Sequence, residues 1–280
     1  MEIKIFHTSD TRENGYKRLI PDEDYIFIYK EIFSVFDGVS VLFQEPYPNP
    51  SPSKRVAEIA AQVVTNEIIK AKTKGLATLH TAFEKANNEI KKYNESMGVT
   101  KENVNHLDKQ LASCVGAFGF VHNDMFYFAQ INDSGVMVFD PLGNREVDFI
   151  LNQAPFIRYV NNLGENHKLE TNSKEEHLYI KKNIVNNSSI SYQGAKLNFG
   201  VANGDNEASR FLRMGATSIS PGQIAFLYTD GFIPFVYDNN FTKLLMSWPE
   251  DIIIEEFILE RQQEGDKFRK EKSLVAIRFQ

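Results

Sequence analysis

The feature that most constrains this chain is a design used twice. Ile32-Phe33-Ser34-Val35-Phe36-Asp37-Gly38 is an apolar run that stops at an acidic residue followed by glycine, and Gln223-Ile224-Ala225-Phe226-Leu227-Tyr228-Thr229-Asp230-Gly231 repeats the pattern far downstream. Short β-prone runs without polar alternation read as strands buried on both faces. A carboxylate at the end of such a strand is held rigidly. A glycine after it can take positive φ and turn its carbonyl beside the carboxylate, giving a compact pair of hard oxygen ligands. Asp-Gly is also the commonest way to turn a chain after a strand, so each pair alone reads first as a turn, and only the two together weigh evenly between turn and ligand. Neither pair is followed by a second strand at hairpin spacing. If the two strand ends are adjacent, they make half of a metal site.

With 280 residues, 42% of them hydrophobic, the chain can build a substantial core, and one domain is the expectation. A formal charge of −6 and a pI near 5.6 give no basic field for nucleic acid or an anionic membrane. The single cysteine, Cys114, lies in an apolar run without a partner in the chain, which argues for a reducing compartment. The start, Met1-Glu2-Ile3-Lys4-Ile5-Phe6, alternates like a strand and lacks a signal-peptide core, and no stretch reaches the length of a membrane span. The expectation is a cytoplasmic protein with no membrane partner. The six histidines show no zinc-ligand spacing.

The segment from Ser9 to Asp24 is polar, with Arg12, Lys17, Arg18 and the cluster Asp22-Glu23-Asp24, and by default reads as a solvated loop. Tyr25 to Tyr29 and Ile32 to Phe36 read as a strand hairpin. The loop from Gln44 to Ser53 carries prolines 46, 48, 50 and 52 and is excluded from helix and central strand. Ser53 is the expected N-cap of a helix with Val56, Ile59, Ala60, Val63, Val64 and Ile68 on one face. After Gly75 a second helix follows, striped by Leu76, Leu79, Phe83, Ala86, Ile90 and Tyr93, so the pair is expected to pack antiparallel on something flat. Cys114 to Val121, Met125 to Ile131, Val136 to Phe139 and Arg145 to Ile150 read as a meander, with His122-Asn123-Asp124 and Asn132-Asp133-Ser134-Gly135 as hairpin turns. Residues 152–198 are polar and weakly periodic and are expected to form a mobile flap. Helices over Asn239 to Ser247 and Pro249 to Gly265 and a closing strand over Ser273 to Phe279 complete an α+β sandwich.

Taken in order, these motifs resemble the metal-dependent protein phosphatases, the PPM or type 2C serine/threonine phosphatases, over most of the chain. Phe33 to Gly38 resembles that family's first Asp-Gly motif, Asn132 to Gly135 its Gly-Asp-Ser-Arg turn, Leu227 to Gly231 its Ser-Asp-Gly motif, and Lys272 to Ile277 its closing strand. The resemblance implies a four-layer α-β-β-α sandwich, two central antiparallel sheets flanked by helix pairs. It further implies two Mg²⁺ or Mn²⁺ ions, with a weaker third in some members, that activate a water for in-line attack on phosphoserine or phosphothreonine of a protein substrate. By this likeness Asp37 bridges both ions, the Gly38 carbonyl binds one and Asp230 the other. Arg18 matches a phosphate-binding arginine. Asp22 is the matching acidic ligand with Glu23 beside it, and Asp133 matches the ligand of a third ion.

Two departures stand out. Val39 occupies the place of a histidine that in some members protonates the leaving group, and the Gly-Gly after it is missing. Aligning Ser273 with the closing motif puts Lys270 where a ligand aspartate belongs, with Glu271 beside it. An ammonium about 4 Å from a divalent ion is repelled by roughly 8 kcal/mol at an effective dielectric near 20. Three resolutions stay open: Glu271 reaches the ion through a bulge, Lys270 points away, or Lys270 takes the ion's place in a domain that binds phosphoproteins or a partner without hydrolysing them.

Overall fold

The computed structural model describes residues 2–10, 12–13, 19–20, 22–39, 49–106, 109–150, 154–167, 174–265, 268 and 270–280. The chain opens with β1 (Ile3–Asp10) and a short ladder of β2 (Arg12–Glu13) and β3 (Leu19–Ile20). A hairpin of β4 (Tyr25–Tyr29) and β5 (Ile32–Val39) follows, turning at Lys30, whose φ is 53°. Helices α1 (Pro52–Lys70) and α2 (Leu76–Ser96) lead into β6 (Ser113–His122), β7 (Met125–Ile131), β8 (Gly135–Phe139) and β9 (Arg145–Phe149). Beyond these lie α3 (Ala154–His167), α4 (Lys174–Asn183) and a small hairpin of β10 (Ser191–Tyr192) and β11 (Ala195–Lys196). The last third holds β12 (Arg213–Ser218), β13 (Ile224–Tyr228), α5 (Ile233–Val236), α6 (Asn239–Ser247), α7 (Asp251–Gln263) and β14 (Lys272–Phe279).

Two five-stranded antiparallel sheets form the centre, ordered β1-β14-β13-β8-β9 and β12-β7-β6-β5-β4. Their facing sides share one apolar layer, in which Phe33, Val35, Ala117 and Phe126 of one sheet meet Val136, Leu227, Val275 and Phe279 of the other. The outer side of the second sheet is covered by α1 and α2 through Phe36, Phe118, Val64, Leu79 and Phe83. The outer side of the first is covered by α5, α6 and α7 through Phe226, Tyr228, Phe235, Phe241 and Ile254. This is the four-layer α-β-β-α sandwich that the resemblance implied. It follows from strands that are apolar on both faces and so need cover on both sides.

Two local readings are corrected, and two stretches hold elements that the sequence did not show. The cap of α1 is Ser51, whose hydroxyl accepts from the Lys54 N–H at 3.0 Å, and Pro52 is the first helical residue. A proline there gives up an N–H that the first turn leaves unbonded anyway. Asn132 to Ser134 is not a hairpin turn: β7 pairs with β6 and β12, whereas β8 pairs with β13 and β9, so the chain crosses between sheets there. Turn-forming residues fix the local bend but not which distant strand the next segment joins. β12 carries too weak an apolar alternation to be read from sequence, yet it pairs with β7 along its whole length. Lastly, residues 152–198 hold two helices, α3 and α4, although their polar composition shows little periodicity.

Candidate metal centre

Three chain segments meet at one end of the inter-sheet layer: the stretch before β4, the end of β5, and the paired ends of β13 and β14. Hydrogen bonds fix them to one another. The Gly38 N–H donates to the Glu23 carbonyl at 3.2 Å, and the Thr229 N–H to the Ser273 carbonyl at 3.0 Å. The Thr229 hydroxyl accepts from the Ser273 N–H at 2.8 Å and donates to Asp24 Oδ2 at 2.8 Å. Glu271 Oε1 accepts from the backbone N–H of Asp24 at 2.8 Å and from that of Glu23.

Both Asp-Gly glycines are needed here for close approach rather than for positive φ, which neither adopts. A Cβ on Gly38 would lie 2.7 Å from the Ser53 carbonyl carbon, and one on Gly231 would overlap the Glu271 carbonyl oxygen. Gly38 remains inside the β5 ladder, opposite Cys114. The sequence pattern was therefore informative about place, but the reason for glycine is packing.

The acidic segment is not a solvated loop. Glu23 and Asp24 are 0% and 1% exposed. Neighbours on an extended chain face opposite ways, and the two carboxylates part accordingly. Glu23 receives the Ser51 hydroxyl at the start of α1. Asp22 and Asp24 instead join Glu271, the three offering carboxylate oxygens within 4.8 Å of one another. Asp24 is thus the residue that the sequence reading missed, and the two-residue alternation running into β4 was the signal for it.

These acids push one another toward the protonated form. Burial, with Asp22 and Asp230 nearby, lifts Asp24 to about 7 against the opposing hydrogen bonds from Ser273 and Thr229. Burial and the Asp24 charge lift Glu271 to about 9. Asp37 is raised well above the carboxylate range by burial and then by Asp24, Asp230, Asp133 and Glu271. Asp24 Oδ1 is buried without a hydrogen-bond donor among the described residues. A hard divalent cation answers both conditions, since it supplies positive charge and takes oxygen ligands. The residues present therefore fit such an ion.

Two ammonium groups border the carboxylates. Lys54 Nζ lies 3.4 Å from Asp22 Oδ2 and donates to the Asp24 carbonyl. Lys270 Nζ lies 3.1 Å from Asp230 Oδ2, so it faces the site. Glu271 reaches the cluster without the expected bulge, because both ladders of β14 run in unbroken register and Glu271 precedes the strand. Arg18 lies outside the described residues. Asp133 and Asp37 line a cleft of 340 Å³ together with His177, Ile180 and Lys181 of α4. Burial lowers Lys181 to about 8, and its Nζ donates to Gln110 Oε1 at 2.7 Å.

No protein-family model matches the sequence, and no curated protein matches it. Solved structures match over nearly the full length. The Mycobacterium tuberculosis serine/threonine phosphatase PstP/Ppp superposes with a TM-score of 0.66 at 13% identity, covering 99% of each chain. The catalytic domain of PstP in complex with 2 manganese ions gives 0.62 at 13% identity, covering 99% of this chain and 97% of that one. The S. agalactiae serine/threonine phosphatase gives 0.57 at 14% identity, covering 100% of both. On this agreement, with the four motifs in order along it, the chain has the fold of the PPM-type serine/threonine phosphatases.

Proposed function

We propose that the protein is a metal-dependent phosphatase that hydrolyses phosphoserine and phosphothreonine in protein substrates. The observation that carries this reading is the meeting of Asp22, Asp24 and Glu271 beside Asp37 and Asp230, with the buried Asp24 Oδ1 left without a donor among the described residues. The likeness to phosphatase structures, one of them a manganese complex, supports it. Mg²⁺ or Mn²⁺ bound there would supply a lowered pKa for a coordinated water and would draw charge from phosphoryl oxygens.

The chain's own residues supply the rest. Thr229 and Ser273 hold Asp24 in one orientation. The resemblance would add Asp37 and the Gly38 carbonyl from β5 as ligands, with Asp230 from the end of β13 at a second ion. Asp133 lies at the cleft edge, where the resemblance would put a weaker ion, and Arg18 is the proposed phosphate contact. With Val39 in place of a histidine, solvent is the proposed proton donor to the leaving oxygen. Residues 152–198 serve as a flap on one domain, a reading supported by His177, Ile180 and Lys181 lining the same cleft as Asp37. The buried, unpaired thiol of Cys114 suits a cytoplasmic setting. Among the described residues no helix is long and apolar enough to cross a membrane. Phosphate release from a phosphothreonine peptide with and without Mn²⁺ tests the reading, and release that is indifferent to chelator would overturn it.

A further inference from the structure

We propose that the centre binds a single divalent cation, on Asp22, Asp24 and Glu271, and that the Lys270 ammonium serves as a built-in cation on Asp230 where a second ion would otherwise sit. The inference rests on the metal-dependent reading above and deepens it. Two independent observations define the ion's side of the centre: three carboxylate oxygens within 4.8 Å of one another, and the Asp24 oxygen, on a side chain 1% exposed, that no donor among the described residues satisfies. Asp22 Oδ2 accepts from Lys54 and Ser9 and Oδ1 from the Asp24 N–H, which leaves Oδ1 able to bind, since each carboxylate oxygen has two lone-pair sites.

On the other side of the centre Asp230 already has a cation. Lys270 Nζ sits 3.1 Å from Asp230 Oδ2, within charge-assisted hydrogen-bond range. A lysine ammonium is a compact point charge with three donors, so it can hold one carboxylate and still offer hydrogens to a phosphoryl oxygen. A second divalent ion on Asp230 would have to displace that ammonium or sit beside it, and like charges at that separation repel strongly. Lys54 Nζ meets Asp22 Oδ2 at 3.4 Å, but among the described residues no donor meets Asp24 Oδ1. The two carboxylates therefore differ in charge demand: Asp24 awaits a cation, and Asp230 carries its own.

The test reads stoichiometry without substrate. Chelator-treated protein is titrated with Mn²⁺ by calorimetry, and the bound ion is examined by electron paramagnetic resonance. The expected result is one Mn²⁺ per chain with the signal of an isolated ion. Lys270→Asp is expected to bind two, with a spin-coupled pair. Lys270→Met removes the charge without adding a ligand and is expected to show a second site at least tenfold weaker than in Lys270→Asp. It also covers the case in which the aspartate variant fails to fold. Two Mn²⁺ of affinity within tenfold of each other in the native chain would overturn the inference, as would one ion in both folded variants. One Mn²⁺ bound with no phosphate release from any phosphopeptide would instead sink the hydrolase reading and leave the one-ion site standing.

Discussion

Thr229 and Asp24 are 205 residues apart in sequence, and a 2.8 Å hydrogen bond from the Thr229 hydroxyl to Asp24 Oδ2 ties them at the heart of the acidic centre. The same hydroxyl accepts the Ser273 N–H, so one small side chain aligns a carboxylate with the end of the β13–β14 ladder. Thr229→Val keeps the shape but removes both bonds. The expected cost is about 1–3 kcal/mol in urea unfolding, together with weaker Mn²⁺ binding. Unchanged stability and affinity would show that the bond does not position Asp24.

The crowding of acids predicts an unusual pH dependence for the metal-free chain. Asp24 and Glu271 titrate near 7 and 9 in the fold, and near 4 when unfolded. Between those values the folded state binds more protons, so stability falls as pH rises from about 4 and the loss is complete above about 9. The slope is at most about 1.4 kcal/mol per pH unit for each carboxyl. In chelator, unfolding free energy should therefore drop from pH 5 to pH 9. In excess Mn²⁺ the drop should shrink, because ligation requires the ionised carboxylates. A metal-free chain that gains stability over that range would contradict the description of the centre.

Ser51 has two duties, capping α1 and donating to the buried Glu23 carboxylate. Ser51→Ala removes the cap, worth about 1 kcal/mol, and one donor to a buried charge, worth about 1–3 kcal/mol. Ser53→Ala loses only the bond to the Val39 carbonyl. Denaturant titration should find the first variant clearly less stable than the second. The reverse order would restore Ser53 as the cap.

Much of this architecture was legible because its signals are local. The double-sided apolar strands around Phe36 and Phe226 demand cover on both faces, and the stripes of α1 and α2 announce what covers one of them. What escaped was set by distant partners. The crossing at Asp133 depends on β8 finding β13, and β12 is fixed by its ladder to β7 rather than by its own residues. Within the centre, Asp37 and Asp230 were marked by the ends of their strands. Asp24 was hidden because a run of three acids looks solvated, and only the alternation into β4 shows which of them turn toward Glu271. The contact of Lys270 with Asp230 could not be chosen from sequence among three alternatives, since it depends on how the chain approaches β14.

The central claim is that this cluster of carboxylates makes a phosphatase, and the most direct test is phosphate release from a phosphothreonine peptide by the native chain and by Asp37→Asn, each with Mn²⁺ and with chelator. Asp37 is the carboxylate on which Asp24, Asp230, Asp133 and Glu271 all act, and the amide keeps its shape while removing its charge. The account predicts Mn²⁺-dependent release by the native chain, abolished by chelator, and a loss of at least 100-fold in the folded variant, the size expected when about 2.7 kcal/mol of transition-state stabilisation is removed. Native protein that releases no phosphate at any Mn²⁺ concentration, or Asp37→Asn that matches it, would contradict the account.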